Sequence, residues 1–214
     1  MITTSEPAVR VSVAALLRVP VDEHRLILLD TGGKVVGPPG GGLAYYPAAR
    51  DLLADLGWHP ERAAAADGRT DLRGQLPERS LRAFLGWLGR EQDRESGQQC
   101  LLRELAEELA EAGRPELVEY VPSIELAHVG TYVELPAPVA GKPYAQTRHL
   151  VVYELLPTGG TELRDRLVAL ATDPAAPTVI AAGRLDIACG RTGSARIGTQ
   201  AAYLATGTHT LIRS

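Results

Sequence analysis

The sequence predicts an α/β domain in which strands and helices form packed layers. Apolar runs of strand length occur both early and late in the chain, and segments with helical spacing lie between them. The 214 residues are 45% hydrophobic, which is enough to build one large core, and no repeat or linker-like stretch divides them. We therefore expect a single domain over residues 1–214, and neither a helical bundle nor an all-β sandwich.

The first part of the chain is predicted to be β-structure. Residues 9–19 form a nearly continuous apolar run, which is typical of a strand that is buried on both faces. A second strand is expected over residues 25–30. The turn residues 31–33 then lead to a short strand over 34–36, and the glycine-rich stretch 37–42 follows directly.

The segment 43–94 has a helical pattern. A helix is expected over residues 46–56, where leucines recur at helical spacing before Gly57. Residues 59–70 indicate a loop or weak helix, and residues 71–73 a short strand. A second helix opens at Pro77 and carries the apolar residues Leu81, Phe84, Leu85 and Leu88 on one side.

The second half of the chain is predicted to alternate between strands and helices. Its elements, in order, are a helix over 96–112, strand-rich sequence over 118–135, a strand over 146–156, a helix over 162–171, an extended segment over 178–185 and a helix over 200–206.

The helix over 96–112 has clear start and stop signals. Ser96 is a suitable N-cap, and Gln99 three residues later completes a capping-box pattern. Leu105 and Leu109 belong to an apolar stripe that faces the core, and Gly113 ends the helix. Cys100 is expected to be a small packing residue.

This helix carries three carboxylates on one edge. Glu104, Glu107 and Glu108 are spaced i, i+3 and i+4, in the half of the helix where the macrodipole favours cations. A sequence that accepts both like-charge repulsion and an unfavourable dipole indicates that a cation lies among these side chains. Hard divalent cations such as Mg²⁺ bind oxygen ligands of this kind, although a solvated charged face is the alternative.

The ordered string around these carboxylates resembles the Nudix box, G-x5-E-x7-R-E-U-x-E-E-x-G-U, in which U is aliphatic. The matching residues are Gly89, Glu95, Arg103, Glu104, Leu105, Glu107 and Glu108. The end of the motif departs from the pattern, because Ala110 replaces a glycine and Glu111 replaces an aliphatic residue.

The resemblance implies a fold and a chemistry. It implies an α/β/α sandwich with a mixed central sheet, and hydrolysis of a nucleoside diphosphate derivative that uses Mg²⁺ or Mn²⁺. Glu104, Glu107 and Glu108 would be the metal ligands and catalytic residues, while Glu95 and Arg103 would hold the loop against the helix. Family members often use one more glutamate; the candidates, between which the sequence does not choose, are Glu125, Glu134 and Glu154.

The position of the box glycine is ambiguous. Gly89 has the motif spacing, yet it could simply end the preceding helix. We favour a split motif in which Gly40, Gly41 and Gly42 form the glycine loop and residues 43–94 are a helical insertion. That insertion is expected to form an accessory lobe outside the central sheet.

The order of these motifs is similar to that of the SMODS-associated Nudix-like domains, over roughly residues 8–206. Those domains occur beside cyclic-oligonucleotide synthases in bacterial anti-phage systems. The resemblance therefore implies an alternative function, a nucleotide-binding sensor or effector module with little or no hydrolysis.

Contacts with a nucleotide are less specific in the sequence. Gly40, Gly41 and Gly42 are expected to contact substrate, and Arg73 or Arg148 to bind phosphate. The aromatic candidates for base stacking, each of which could equally be a core residue, are Tyr45, Tyr46, Trp58 and Trp87.

Composition excludes several classes of function. A net charge of −4 gives no electrostatic basis for general nucleic-acid binding. No apolar run has the length of a membrane span and no signal peptide is recognised, so a cytoplasmic location is expected. The expected partner is a small nucleotide ligand, and a homodimer is possible.

Overall fold

A computed structural model describes residues 7–32 and 35–205. Its strands, in chain order, are β1 (Ala8–Arg18), β2 (Arg25–Leu29), β3 (Val35–Val36), β4 (Gly40–Gly42), β5 (Ala44–Tyr45), β6 (His59–Pro60), β7 (Thr70–Asp71), β8 (Arg73–Pro77), β9 (Leu126–Pro138), β10 (Tyr144–Leu155), β11 (Val179–Gly183), β12 (Arg191–Thr192) and β13 (Ala195–Ile197). Its α-helices are α1 (Arg50–Asp55), α2 (Leu81–Leu88), α3 (Gly97–Glu111), α4 (Thr161–Ala171), α5 (Arg184–Cys189) and α6 (Ala202–Ala205).

The central sheet is mixed, as predicted. Its strand order is β6-β8-β1-β10-β9, and β4 is hydrogen-bonded to β1. β1 is parallel to β10 along its whole length and antiparallel to β8 and β4. β8 and β4 share the other edge of β1, because Ser12 faces Arg73 and Ala14 faces Gly42. This register brings the glycine-rich strand next to Arg73.

The sheet has a core on each face. Successive residues of a strand point to opposite faces, so the uninterrupted apolar sequence of β1 is buried on both sides. Val13 and Ala15 belong to the same apolar cluster as Leu105 and Leu109 of α3. Alternate β1 residues belong to a second cluster, which includes residues of α5 and α6. The layering of helices on both faces of the sheet agrees with the predicted α/β/α sandwich.

The expectation that residues 43–94 form a lobe outside the central sheet is wrong. The segment does carry helices α1 and α2, but its strands β6 and β8 both belong to the central sheet. In β8 the buried residues are Gly74 and Leu76. Alternation over five residues that include a glycine is a weak strand signal, which is why the sequence favoured a helical insertion.

Smaller differences have local causes. The sequence over 118–135 was expected to be strand-rich, but Pro115–Ser123 forms a 3-10 helix, and β9 begins only at Leu126. The extended segment predicted over 178–185 ends at Gly183, where helix α5 begins. The Asp186 side chain accepts a hydrogen bond from the Gly183 N–H at this helix start. Lys34 and Thr206, which fall at the ends of a predicted strand and helix, lie outside the described residues.

The remaining strand and helix predictions are close to the structure. They are the first two strands, the helix before Gly57, the helices at 77–88, 96–112 and 162–171, and the strand at 146–156. Within residues 7–32 and 35–205, no helix combines the length and apolar character that crossing a membrane requires.

We predict that Gly40→Ala destabilises the protein by at least about 2 kcal/mol. Gly40 has a φ of +128°, and an added Cβ would overlap the carbonyl of Ala15 in β1. Gly86→Ala is the matched control, since nothing lies within 4 Å of its added Cβ on helix α2. It should raise stability by up to about 1 kcal/mol. Urea unfolding of both variants tests the prediction, and equal stability of the two would contradict it.

Candidate functional site

The helix that carries the three carboxylates begins and ends where its sequence predicts. Gln99 N donates to Ser96 Oγ at 3.2 Å, and Ser96 N donates to Gln99 Oε1 at 2.8 Å, so the capping box is present. Gly113 adopts φ +74°, and Arg114 N donates to Leu109 O at 2.8 Å at the exit of the helix. α3 is thus fixed at both ends, which determines where its side chains lie.

Glu95 is the most buried charged residue near this helix, with 1% of its surface exposed. Both of its oxygens accept hydrogen bonds from Arg103, each at 2.8 Å. Arg69 Nη1 donates to Glu95 Oε1 at 2.6 Å, and the backbone N–H of Ala44 donates to Oε2 at 3.0 Å. Burial alone would raise the pKa of Glu95, but Arg103 and these other donors hold it below its ordinary value.

Arg103 connects Glu95 to the glycine strand and to the edge of α3 that carries Glu104 and Glu107. Its Nη2 donates to the carbonyl of Gly42 at 3.0 Å, and its Nη1 donates to Glu104 Oε1 at 2.6 Å. Glu107 lies at 3.6 Å from the same Nη1. Hydrogen bonding to Glu95 raises the pKa of Arg103, so this guanidinium stays charged.

The glycine strand β4 contacts the box carboxylates directly. Gly40 N donates to Glu108 Oε2 at 2.8 Å. At Gly41 an added Cβ would overlap the carboxylate of Glu104, so a larger residue at this position would displace that carboxylate. Gly89 instead ends α2, where its Cβ would meet only the carbonyls of Leu85 and Gly86. The geometry therefore favours the split motif, with β4 in the role of the glycine loop.

The carboxylates form one side of a cleft of about 560 Å³. The acidic residues that line it are Glu104, Glu107, Glu108, Glu111 and Asp71, and the basic residues are Arg62, Arg69, Arg73 and Arg103. Among the described residues, no three acidic, histidine or cysteine side chains are already arranged to hold a metal ion. The cleft is therefore a polar site of mixed charge, in which a cation would have to draw the carboxylates together.

Two of these carboxylates have raised pKa values. Burial, together with the nearby charges of Glu104, Glu111 and Glu107, raises the pKa of Glu108 to about 8, although the Gly40 N–H opposes the shift. Burial likewise raises the pKa of Glu104, against the effect of Arg103. A divalent cation would favour the ionised form of both groups and would find oxygen donors that suit Mg²⁺. The residues present therefore fit the expected metal.

Arg73, one of the two arginines expected to bind phosphate, lines the cleft. Its Nε and Nη2 atoms are 3.1 Å from the position that a Cβ on Gly42 would occupy, so the guanidinium lies across the glycine strand. Within the described part of the chain its side chain has neither a hydrogen bond nor an ion pair. Arg148, the other phosphate candidate, contacts Glu134 at 3.5 Å and does not line the cleft.

The proposed extra glutamates do not line this cleft. Glu125 accepts a hydrogen bond from Thr158, Glu134 contacts Arg148, and Glu154 pairs with Arg18. The aromatic candidates are also absent from its lining. Tyr45, Trp58 and Trp87 are buried, and Trp58 stacks on Phe84 with ring centroids 5.0 Å apart, as expected of core residues.

Sequence reasoning missed four charged residues of the cleft. Glu111 continues the series 104, 107, 108 at i+7, so helical periodicity alone could have placed it on the same edge. Arg62, Arg69 and Asp71 come from the connection between β6 and β8, where no periodic pattern indicates which way a side chain points.

Comparison with known proteins identifies one family. The model of the SMODS-associated NUDIX domain matches residues 8–205, which is most of the chain. No curated protein and no solved structure matches.

We predict that Glu95→Gln lowers the free energy of unfolding by about 3 kcal/mol, because it removes the buried carboxylate that pairs with both Arg103 and Arg69. Glu61→Gln is the control; it removes the more exposed pair with Arg10 and should cost less than about 1 kcal/mol. Since the pKa of Glu95 is lowered in the folded state, its contribution is present above the unfolded pKa and is lost as pH falls through the folded value. Urea unfolding at pH 7 and pH 4 measures both effects. Equal losses for the two variants at pH 7 would contradict the assignment.

Proposed function

Because the chain belongs to the SMODS-associated NUDIX domain family, we propose that it is a Mg²⁺-dependent hydrolase of the phosphoanhydride bond in a nucleoside diphosphate derivative. One observation carries the proposal: half-buried carboxylates of α3 and several arginines line the same polar cleft. Such a cleft offers oxygen ligands for a cation and guanidinium groups for the phosphates of the same ligand.

Each residue of the cleft has a proposed role. Glu104, Glu107 and Glu108 would hold Mg²⁺ or Mn²⁺, which neutralises phosphate charge and lowers the pKa of bound water. Gly40 orients Glu108 through its N–H, and Gly41 leaves space for Glu104. The guanidinium of Arg73 would bind a phosphate oxygen, since it faces the cleft without a protein partner.

A second candidate function is a nucleotide sensor or effector with little hydrolysis. The observation that favours it is the Arg103–Glu104 ion pair of 2.6 Å, because Glu104 already has a counter-charge that a metal would have to displace. In that case the protein would act in a bacterial anti-phage signalling system. Cytoplasmic location and homodimer formation stay predictions.

The test is a product-release assay with nucleoside diphosphate sugars, ADP-ribose, NAD, dinucleoside polyphosphates and cyclic oligonucleotides, with and without Mg²⁺. We expect Mg²⁺-dependent release from at least one of them. Glu108→Gln should reduce turnover by at least about 100-fold, or roughly 2.7 kcal/mol of barrier. Its melting temperature in chelator at pH 8 should not fall, because ionisation of Glu108 opposes folding there.

Glu116→Gln is the matched control, since Glu116 is an exposed glutamate outside the cleft. Its turnover should equal that of the wild-type protein. Unchanged turnover in Glu108→Gln would exclude a catalytic role for Glu108. Absence of turnover together with a nucleotide-induced rise in melting temperature would favour the sensor.

A further inference from the structure

A second cavity, of about 270 Å³, lies between the central sheet and the turn that joins α2 to α3; we refer to it as the sheet cavity. Its walls are largely apolar, with side chains that include Val13, Leu43, Leu85, Leu88 and Val151. No residue lines both this cavity and the cleft that contains Glu104, Glu107 and Glu108. Leu43 lines the cavity while the next residue, Ala44, lines the cleft, so the two sites lie on either side of the same short segment.

Three polar side chains of the sheet contribute to the sheet cavity. They are Thr131 on β9 and His149 and Tyr153 on β10. Nε2 of His149 is buried and has no hydrogen-bond partner among the described residues. The hydroxyl of Tyr153 likewise has no hydrogen bond to another described residue. An unsatisfied buried polar atom costs about 1–3 kcal/mol, so a nitrogen left in this state is a candidate ligand contact.

The sheet cavity also depends on constrained backbone. At Gly97 a Cβ would come within 2.6 Å of the Tyr153 ring, so the first residue of α3 leaves room for that ring. Glu91, which lines the cavity, and Asp93 both have left-handed φ values, of 56° and 57°. Such conformations are uncommon for residues other than glycine, although aspartate adopts them more readily than glutamate, and they cluster at functional sites.

Arg94 holds this turn in place. Its buried guanidinium donates to the carbonyl of Leu88 from Nε at 3.0 Å and from Nη2 at 2.7 Å, and to the carbonyl of Glu95 at 2.6 Å. The end of α2 and the start of α3 are therefore fixed relative to each other, and the cavity between them is part of the folded structure.

We propose that the sheet cavity binds a planar heteroaromatic ring, specifically a nucleobase, with His149 as a hydrogen-bond partner and Tyr153 as an aromatic contact. Apolar walls suit the faces of such a ring, and its polar edge would satisfy the buried imidazole nitrogen. The volume lies just below the usual range of about 300–1,000 Å³ for ligand pockets, which suits one ring system. The choice of a nucleobase rests on the proposed nucleotide-directed function. The presence of the cavity and of its unpartnered polar groups is independent of that proposal.

The test uses nucleosides without phosphate in chelator, so that neither a phosphate contact nor a metal ion in the cleft lined by Glu104, Glu107 and Glu108 contributes to binding. Adenosine, guanosine, cytidine and uridine are titrated into the full chain in chelator, and binding is followed by ligand-observed NMR. His149→Leu removes the unpartnered nitrogen, and Val151→Phe fills the cavity. The control is His24→Leu, at an exposed histidine that does not line the cavity. Melting temperature and near-UV circular dichroism establish that each variant is folded.

We expect at least one nucleoside to bind the wild-type protein and His24→Leu equally, and to bind His149→Leu and Val151→Phe at least 10-fold more weakly. Binding should persist in Glu108→Gln, so failure of the hydrolase proposal would be visible separately. Absence of binding for all four nucleosides would overturn the inference, as would undiminished binding to folded Val151→Phe. A stabilised His149→Leu with no binding in the wild type would identify the cavity as a packing defect.

Discussion

The ion pair between Glu95 and Arg103 is the interaction on which the rest of the site depends. A carboxylate that is 1% exposed is stable only if charged partners and hydrogen bonds replace its water, and Arg103, Arg69 and Ala44 do so. These partners come from α3, from the connection before β7 and from β5, which are distant in sequence. One buried charge therefore joins three segments and fixes the face of α3 that meets the glycine strand.

The position of α3 determines the distribution of charge in the cleft. Four glutamates on successive turns of α3 face one space, although the helix dipole disfavours anions in its last turns. The protein compensates only in part: Arg103 reaches Glu104, and the Gly40 N–H reaches Glu108. The remaining excess of negative charge is what a divalent cation would balance, and the arginines opposite would then meet the phosphates that this cation binds. The proposed metal site and the proposed phosphate contacts would thus both follow from this one arrangement.

Local patterns in the sequence predicted local structure well. The capping box at Ser96, the apolar stripe of α3 and the exit at Gly113 rest on interactions within a few residues, so they could be read directly. The α/β class also followed from the order of apolar runs, whereas the mixed sheet was implied by the family resemblance. The predictions that failed concern contacts between residues distant in sequence. β8 forms a strand because it is hydrogen-bonded to β1, and Arg69 contacts Glu95, which is 26 positions away in the sequence. Propensity and periodicity contain no information about such contacts.

The central claim is that the carboxylates of α3 bind a divalent cation, and calorimetric titration of Mg²⁺ and Mn²⁺ measures this most directly. The wild-type protein is compared with the double variant Glu107→Gln, Glu108→Gln at pH 8, close to the raised pKa of Glu108 of about 8. Metal binding then releases protons, and titrations in two buffers with different ionisation enthalpies separate the heat of proton release from the heat of metal binding. The account predicts a saturable heat for the wild-type protein and at least a 10-fold weaker affinity for the double variant. Equal heats and affinities in the two folded proteins would contradict it.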